Sequence, residues 1–308
     1  MLLIAPELRA CAVIALGLGL TACGSGETLV VQPQEFTGPV TASDYVGRTF
    51  PVFVLIGESG DPSAETFARQ GSITYVSANT VTLRLPGASP VTLTRNGSSL
   101  LGVSYSGLTN GRDPVEVLIS GFSSTEAARL VSVADTELSV LGAFGFETAV
   151  EDRPASGTYS TAGAVFLTAQ NVGAFLPTEG SGTLVADFTN GDISGTLLDA
   201  TPVAVALAGD NLTPDDLAMT FFLENGVITP DGFGGDVNVF AELVVDGSGP
   251  PVVLGTAVTN DDVEGSFFGN EAEVIAGTFE ADVRLSDGGG TLVDLDTAGL
   301  ISGGRTGP

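Results

Sequence analysis

The sequence predicts an all-β protein, an antiparallel β domain followed by an eight-stranded antiparallel β-barrel, on three observations. Glycine is abundant (42 of 308 residues) beside Thr, Ser and Val, a mixture that favours short strands and tight turns over helices. Apolar and polar residues alternate over stretches such as Thr80–Leu85, the period-two pattern of a half-buried strand. Asn190-Gly191 and Asn225-Gly226 follow such stretches. An Asn-Gly pair between alternating segments signals a hairpin, because both residues tolerate positive φ and suit a type I′ turn.

In chain order, residues 1–22 read as an export signal: Cys11–Leu20 is apolar, preceded by Arg9, and too short to span a bilayer comfortably. Residues 23–36 are a short polar tether. Residues 37–150 form the first β domain. Its strands are expected at Thr49–Ile56, with Pro51 marking an edge or a strand start, and at Ser72–Val76, Thr80–Leu85 and Pro90–Thr94. Leu101–Tyr105, Val115–Ile119 and Glu137–Leu141 continue the series, and Ser124–Leu130 is the one stretch read as a helical turn. Over 143–155 a strand runs out into a charged, Pro-containing connection that leads into the second domain, 151–308. Strands there are expected around Gly157–Thr168, at Gly182–Thr189 and Asp192–Leu198 flanking Asn190-Gly191, and at Leu217–Leu223 before Asn225-Gly226. Val237–Val245, two strands within Gly265–Phe279, and Thr291–Ile301 complete about eight. That number fits a small closed barrel filled by side chains, and closure removes the edges that would make a β-rich chain aggregate.

Acidic residues number 37 against 10 basic ones, all Arg, and residues 155–308 hold 22 Asp and Glu against Arg284 and Arg305 alone. Such a surface repels nucleic acid and anionic lipid headgroups; it keeps an exposed β protein soluble and would attract a basic partner. The chain has no His, Lys or Trp. That composition excludes Ser-His-Asp and Cys-His catalysis, His-ligated zinc or haem, and Schiff-base chemistry. A glycosidase working through paired carboxylates remains chemically open, but the acidic residues cluster in Gly/Asn turns with no Trp platform for sugar. The chain is therefore read as a non-enzyme with no catalytic residue, cofactor or metal.

Leu20-Thr21-Ala22-Cys23 resembles the lipobox of bacterial lipoproteins: an aliphatic residue, two small residues and the acceptor Cys. The resemblance implies cleavage after Ala22 and acylation of Cys23. Cys11 leaves with the signal, so the mature chain would hold neither a disulfide nor a free thiol. Several acyl chains give stable anchoring without a transmembrane helix. Gly24 stands where an Asp would suggest inner-membrane retention in enteric bacteria, so the expected location is the outer membrane, at the cell surface.

Gly265–Phe279 resembles the hairpin that marks the C-terminal barrel of transferrin-binding protein B and related bacterial surface lipoproteins. The pattern is met at Gly265, Phe267, Phe268, Gly269, Ala272, Gly277 and Phe279, with Glu273 followed by Val274 where the family has Glu. Gly182–Leu197 looks like the opening hairpin of the same barrel. The resemblance covers about residues 140–308, and the first half is compatible with that family's handle-like domain. It implies a lipid-anchored co-receptor that captures a protein ligand or an iron- or haem-carrying protein and works with an outer-membrane transporter. The alternative is a structural or adhesive envelope lipoprotein without an uptake role.

Three groups of residues invite a site. Phe267 and Phe268 point to opposite faces of a strand, so at least one belongs to the core, and the glycines around them read as packing residues. Asn260-Asp261-Asp262 with Glu264, and Asp287 with Asp294 and Asp296, suggest calcium, yet neither follows the regular oxygen spacing calcium needs, and solvated turns are preferred. Haem would need Tyr45, Tyr75, Tyr105, Tyr159 or Met219 as axial ligand; the tyrosines read better as half-buried packing residues.

Overall fold

A computed structural model describes residues 34–35, 40–58, 64–86, 88–99, 102–109, 113–121, 127–134, 138–169, 175–203, 217–243, 252–286 and 291–307. A two-residue strand, β1 (Gln34–Glu35), precedes a 3-10 turn over Ala42–Tyr45. The first half then runs β2 (Thr49–Glu58), β3 (Ala64–Ser77), β4 (Thr80–Arg84), β5 (Val91–Ser99), β6 (Gly102–Thr109), β7 (Asp113–Gly121), β8 (Ala128–Ala134) and β9 (Leu138–Glu147). Each strand pairs antiparallel with the next. β9 then returns to β2, with Phe53 opposite Ala143 and Glu58 opposite Leu138, so the antiparallel β domain expected here closes into a ring of eight.

A second 3-10 turn (Val150–Asp152) leads to β10 (Ser156–Ala169), β11 (Phe175–Asp187), β12 (Asp192–Val203), β13 (Leu217–Thr229) and β14 (Gly232–Leu243). The two-residue β15 (Val252–Val253) sits against β14, and β16 (Gly255–Phe268), β17 (Val274–Ser286) and β18 (Thr291–Gly307) follow. Successive long strands pair antiparallel, and β18 closes on β10. The expected eight-stranded antiparallel barrel is present.

Strand alternation sorts the buried side chains into three clusters. Phe50, Val52 and Val54 of β2 point into the first barrel with Ile73, Leu93, Val117, Phe144 and Phe146. Tyr159, Leu184, Phe221, Phe267, Ile275 and Phe279 fill the second. The third cluster lies between the barrels: Phe53 and Leu55 of β2 and Ala143 of β9 meet Phe166, Phe268, Val274, Ala276, Ala298 and Leu300. Strands at this seam are buried on both faces. That explains why Thr49–Ile56 and Val274–Phe279 read as nearly continuous apolar runs, a pattern otherwise typical of sheets covered on two sides. Pro51 pairs with Ser72 on β3, one turn of the pleat before β9 joins β2 at Phe53. Its missing N–H falls where the ladder has one neighbour.

Two local expectations are corrected. Ala128–Leu130 belong to β8, so the end of the stretch expected as a helical turn is extended, and residues 124–126 lie outside the described residues; cross-strand pairing with β7 and β9 overrides the weak helix propensity. Over 143–155, β9 runs out at Glu147 and the charged, Pro-containing connection follows. Asn225-Gly226 is not a hairpin turn: it lies inside β13 at a register shift, with Asn225 at φ 53°. This is a β-bulge, in which one left-handed residue is accommodated without ending the strand. The hairpin itself turns at Pro230-Asp231, between the paired Thr229 and Gly232.

Candidate binding surface

At one end of the second barrel, β16 and β17 are joined by the five residues Gly269–Glu273, in which Gly269, Glu271 and Ala272 all have positive φ. The loop folds inward: Ala272 is fully buried, and its carbonyl accepts a 2.8 Å hydrogen bond from the Tyr159 hydroxyl. It also joins the barrels. Thr148 Oγ1 donates to the Gly269 carbonyl (2.6 Å), the Gly269 amide donates to Phe146, and the Thr148 amide donates to Phe267. Phe268 stands opposite Glu147 of β9. Phe267 points into the second barrel and Phe268 into the seam, the division that alternation requires.

Glycines of the hairpin and of β18 make room for rings and for close backbone approach. A Cβ on Gly265 would lie 2.1 Å from the Phe233 ring, and one on Gly299 would lie 2.2 Å from the Phe279 ring. Gly277 passes within 2.5 Å, by the same measure, of the Glu264 carbonyl. Arg153 completes this end of the barrel. Its guanidinium donates to the carbonyls of Thr229 and Pro230, both at 2.6 Å, and lies 5.6 Å from the centroid of Phe267. Arg305 reaches Glu271 at 3.3 Å. Sequence reasoning missed Arg153, whose place in a charged connection gave no hint of its reach.

Asn190-Gly191 does end a strand, but as the close of a four-residue loop, Phe188–Gly191, in which Gly191 has φ +80°. Asp187 organises that loop. Its carboxylate accepts from the amides of Thr189 and Asn190 (both 3.0 Å) and from Asn190 Nδ2 (2.7 Å), and its carbonyl accepts from the Gly191 amide. These bonds replace the type I′ geometry that the Asn-Gly pair alone suggests. The hydrogen bonds from Asn190 hold the Asp187 carboxyl below its ordinary range.

The outer face of the second barrel carries a groove of about 540 Å³ lined by Asn260, Asp261, Asp262, Glu280, Asp282 and Asp296. Asp262 stands opposite Glu280 across β16 and β17, and Asp282 stands opposite Asp296 across β17 and β18. Like charges facing each other across a sheet are destabilising, so this row costs the fold something. The wall of the groove desolvates part of Asp262, and Glu280, Asp236 and Asp261 add repulsion; together they raise its pKa. Asn260, at φ 49°, forms a bulge and donates to the Asp282 carboxylate. Of the acidic residues that suggested calcium, Asp294 is held by Arg284 at 2.6 Å and Asp287 lies outside the described residues. Among the described residues no three His, Cys, Asp or Glu converge as a metal site.

The tyrosines are more deeply buried than the sequence suggested. Tyr45 packs 4.9 Å from both Phe50 and Phe146 and 5.3 Å from Tyr75, under the Arg129 guanidinium at 5.1 Å. Tyr105 is also interior, and desolvation drives the phenols of Tyr75 and Tyr159 far above their ordinary range. Met219 is fully buried in the second core. Ala22 and Cys23 lie outside the described residues, and no helix among those described is long and apolar enough to cross a membrane.

No family model matches the chain, and no curated protein matches it. Solved structures do. A transferrin binding protein B double mutant from Haemophilus parasuis Hp5 has a TM-score of 0.45 at 14% identity, covering 84% of this chain and 45% of its own. The isotype 1 transferrin binding protein B of serogroup B Neisseria meningitidis has a TM-score of 0.44 at 15% identity, covering 83% and 44%. The chain thus spans less than half the length of these two proteins.

Proposed function

We propose that this chain is a lipid-anchored surface lipoprotein of the outer membrane that acts as a binding protein, capturing a protein ligand or a protein that carries iron or haem. The observation that carries the reading is Leu20-Thr21-Ala22-Cys23 behind an apolar run, followed by a body wound into barrels whose interiors are occupied by side chains. With both interiors filled, recognition falls to the outer surface and the connections. The net charge of −27 favours a partner with a basic face. Cys23 would carry the acyl chains, Ala22 would precede the cut, and an outer-membrane transporter would receive the cargo. Gly265, Phe267, Phe268, Gly269, Ala272, Glu273, Gly277 and Phe279 would build the barrel rather than touch a ligand.

Metabolic labelling with palmitate tests the anchor: label is expected on the native chain and absent from a Cys23→Ala variant. Crosslinking on intact cells, followed by identification of the captured protein, tests the binding role. The acidic row on β16–β18 supports binding over the structural or adhesive alternative, because a purely structural barrel gains nothing from facing carboxylates. Expression that rises when iron is withdrawn would support uptake, whereas expression indifferent to iron, with no crosslinked partner, would leave the envelope role.

A further inference from the structure

Two of the four Asn-Gly pairs in the sequence, Asn190-Gly191 and Asn225-Gly226, hold the Asn side chain in opposite ways. An Asn-Gly peptide deamidates when the glycine nitrogen attacks the Asn side-chain carbonyl carbon. The new C–N bond closes a five-membered succinimide and ammonia leaves with the amide nitrogen. Water then opens the ring at either carbonyl, giving aspartate or isoaspartate. Glycine permits this because it has no side chain to obstruct the attack. The reaction also needs a carboxamide free to turn and a backbone free to bring nitrogen to carbon.

Asn190 has neither freedom. Its amide and its Nδ2 are both bound to the Asp187 carboxylate, and the Gly191 nitrogen that would attack is already donating to the Asp187 carbonyl at 2.8 Å. Asn225 differs on each count that the side chain decides. It is exposed, its carboxamide takes no hydrogen bond among the described residues, and it occupies the left-handed region at φ 53° on a bulge where the β13 ladder to β14 is interrupted, while the buried Gly226 that follows stays paired with Ile193 of β12. Asn96-Gly97 is intermediate, with Asn96 Nδ2 donating once, to Glu116, at 3.2 Å.

We propose that Asn225 is a site of spontaneous modification in the folded protein, converting to aspartate and isoaspartate through the Gly226 nitrogen, and that Asp187 protects Asn190 from the same fate. Conversion adds one more negative charge to an already acidic barrel. The isoaspartate product also lengthens the backbone by a methylene at a bulge between β12 and β14. Gly226 is itself tightly enclosed: a Cβ there would meet Ile193 at 2.8 Å, so the extra atom has little room.

The test is incubation of the full chain at mildly alkaline pH, with peptide mapping by mass spectrometry and isoaspartyl methyltransferase labelling over time. In the folded chain, product is expected at Asn225 many-fold faster than at Asn190. In urea, where the hydrogen bonds are gone, the two rates should become similar. An Asp187→Ala variant should speed Asn190 while leaving Asn225 unchanged; if that variant unfolds, the urea comparison alone decides. Equal rates at the two sites in the folded chain, or modification of Asn225 only after unfolding, overturn the proposal. An Asn225→Gln variant, unable to close the five-membered ring readily, should abolish the labelling at that position.

Discussion

The two halves of the molecule are both rings of eight antiparallel strands, yet they fill and close their interiors by different means. The first barrel packs Tyr45, on a 3-10 turn, against Phe50, Tyr75, Phe144 and Phe146, and completes its core with Tyr105 and with Val, Ile and Leu. The second gathers Tyr159, Phe188 and Phe233 around Phe267, pairs Phe221 with Phe279, and makes room for two of these rings with glycines: Phe233 lies over Gly265, and Phe279 over Gly299. Its cap is the Gly269–Glu273 loop, held by Tyr159 and flanked by Arg153. The difference lies in the closure: a ring carried on a turn plugs the first barrel, and a backbone loop hydrogen-bonded to a buried phenol plugs the second. At Gly265 and Gly299 the second barrel has no room for added volume.

Substitutions can break or sharpen that contrast. The largest effect is expected at the seam the two barrels share. Phe268→Ala should cost about 3–5 kcal/mol and split calorimetric unfolding into two transitions; one unaltered transition would show that the barrels are not coupled through this ring. Next, Gly265→Val should destabilise by about 3 kcal/mol in urea unfolding, because the new side chain must displace Phe233. The comparison is Gly97→Ala in the first barrel, where a Cβ meets only Ser104 Oγ at 3.2 Å, and a change within about 0.5 kcal/mol is expected. Equal losses at both sites would show that room for the Phe233 ring is not what Gly265 provides. Tyr159→Phe keeps the ring but leaves the buried Ala272 carbonyl without its donor, for a loss of about 1–2 kcal/mol, readable as faster amide exchange in Gly269–Glu273.

The smallest effect concerns the acidic groove. The pKa of Asp262 is raised in the folded state above the ordinary 3.8. The native chain therefore holds this proton more tightly than the unfolded one, and the contribution of Asp262 to stability falls as pH rises through the interval above 3.8. Asp187 works in the opposite sense: its lowered pKa contributes stability above 3.8 that is lost as pH falls through its folded value. Asp262→Asn should raise the melting temperature at pH 7 and have little effect at pH 3. A variant less stable at neutral pH would mean that the carboxylate is held by favourable contacts.

Much of the fold was legible where a strand has one wet face. Thr80–Leu85 and Val115–Ile119 alternate because one side meets the core and the other meets water, and both are strands, the first ending one residue earlier than expected and the second reaching two residues further at each end. Asn225-Gly226 was misread because the dipeptide reports only tolerance of positive φ, which a bulge uses as readily as a turn. The acidic row was visible as composition but not as a row. Glu280 and Asp282 come to face Asp262 and Asp296 only once β16, β17 and β18 are in register.

The sequence by itself determined the β class, the filled barrel, the opposite facing of Phe267 and Phe268, and the excess of negative charge, because these follow from residue type and from the two-residue repeat of a strand. The tertiary structure decided what no local pattern contains: that the first half also closes, that Phe53, Phe166 and Phe268 meet in a seam between the barrels, and that Thr148 and Arg153 reach across it and over it. Those outcomes depend on pairings such as Phe53 with Ala143 and Phe268 with Glu147, about a hundred residues apart. Only chain closure brings such residues into contact.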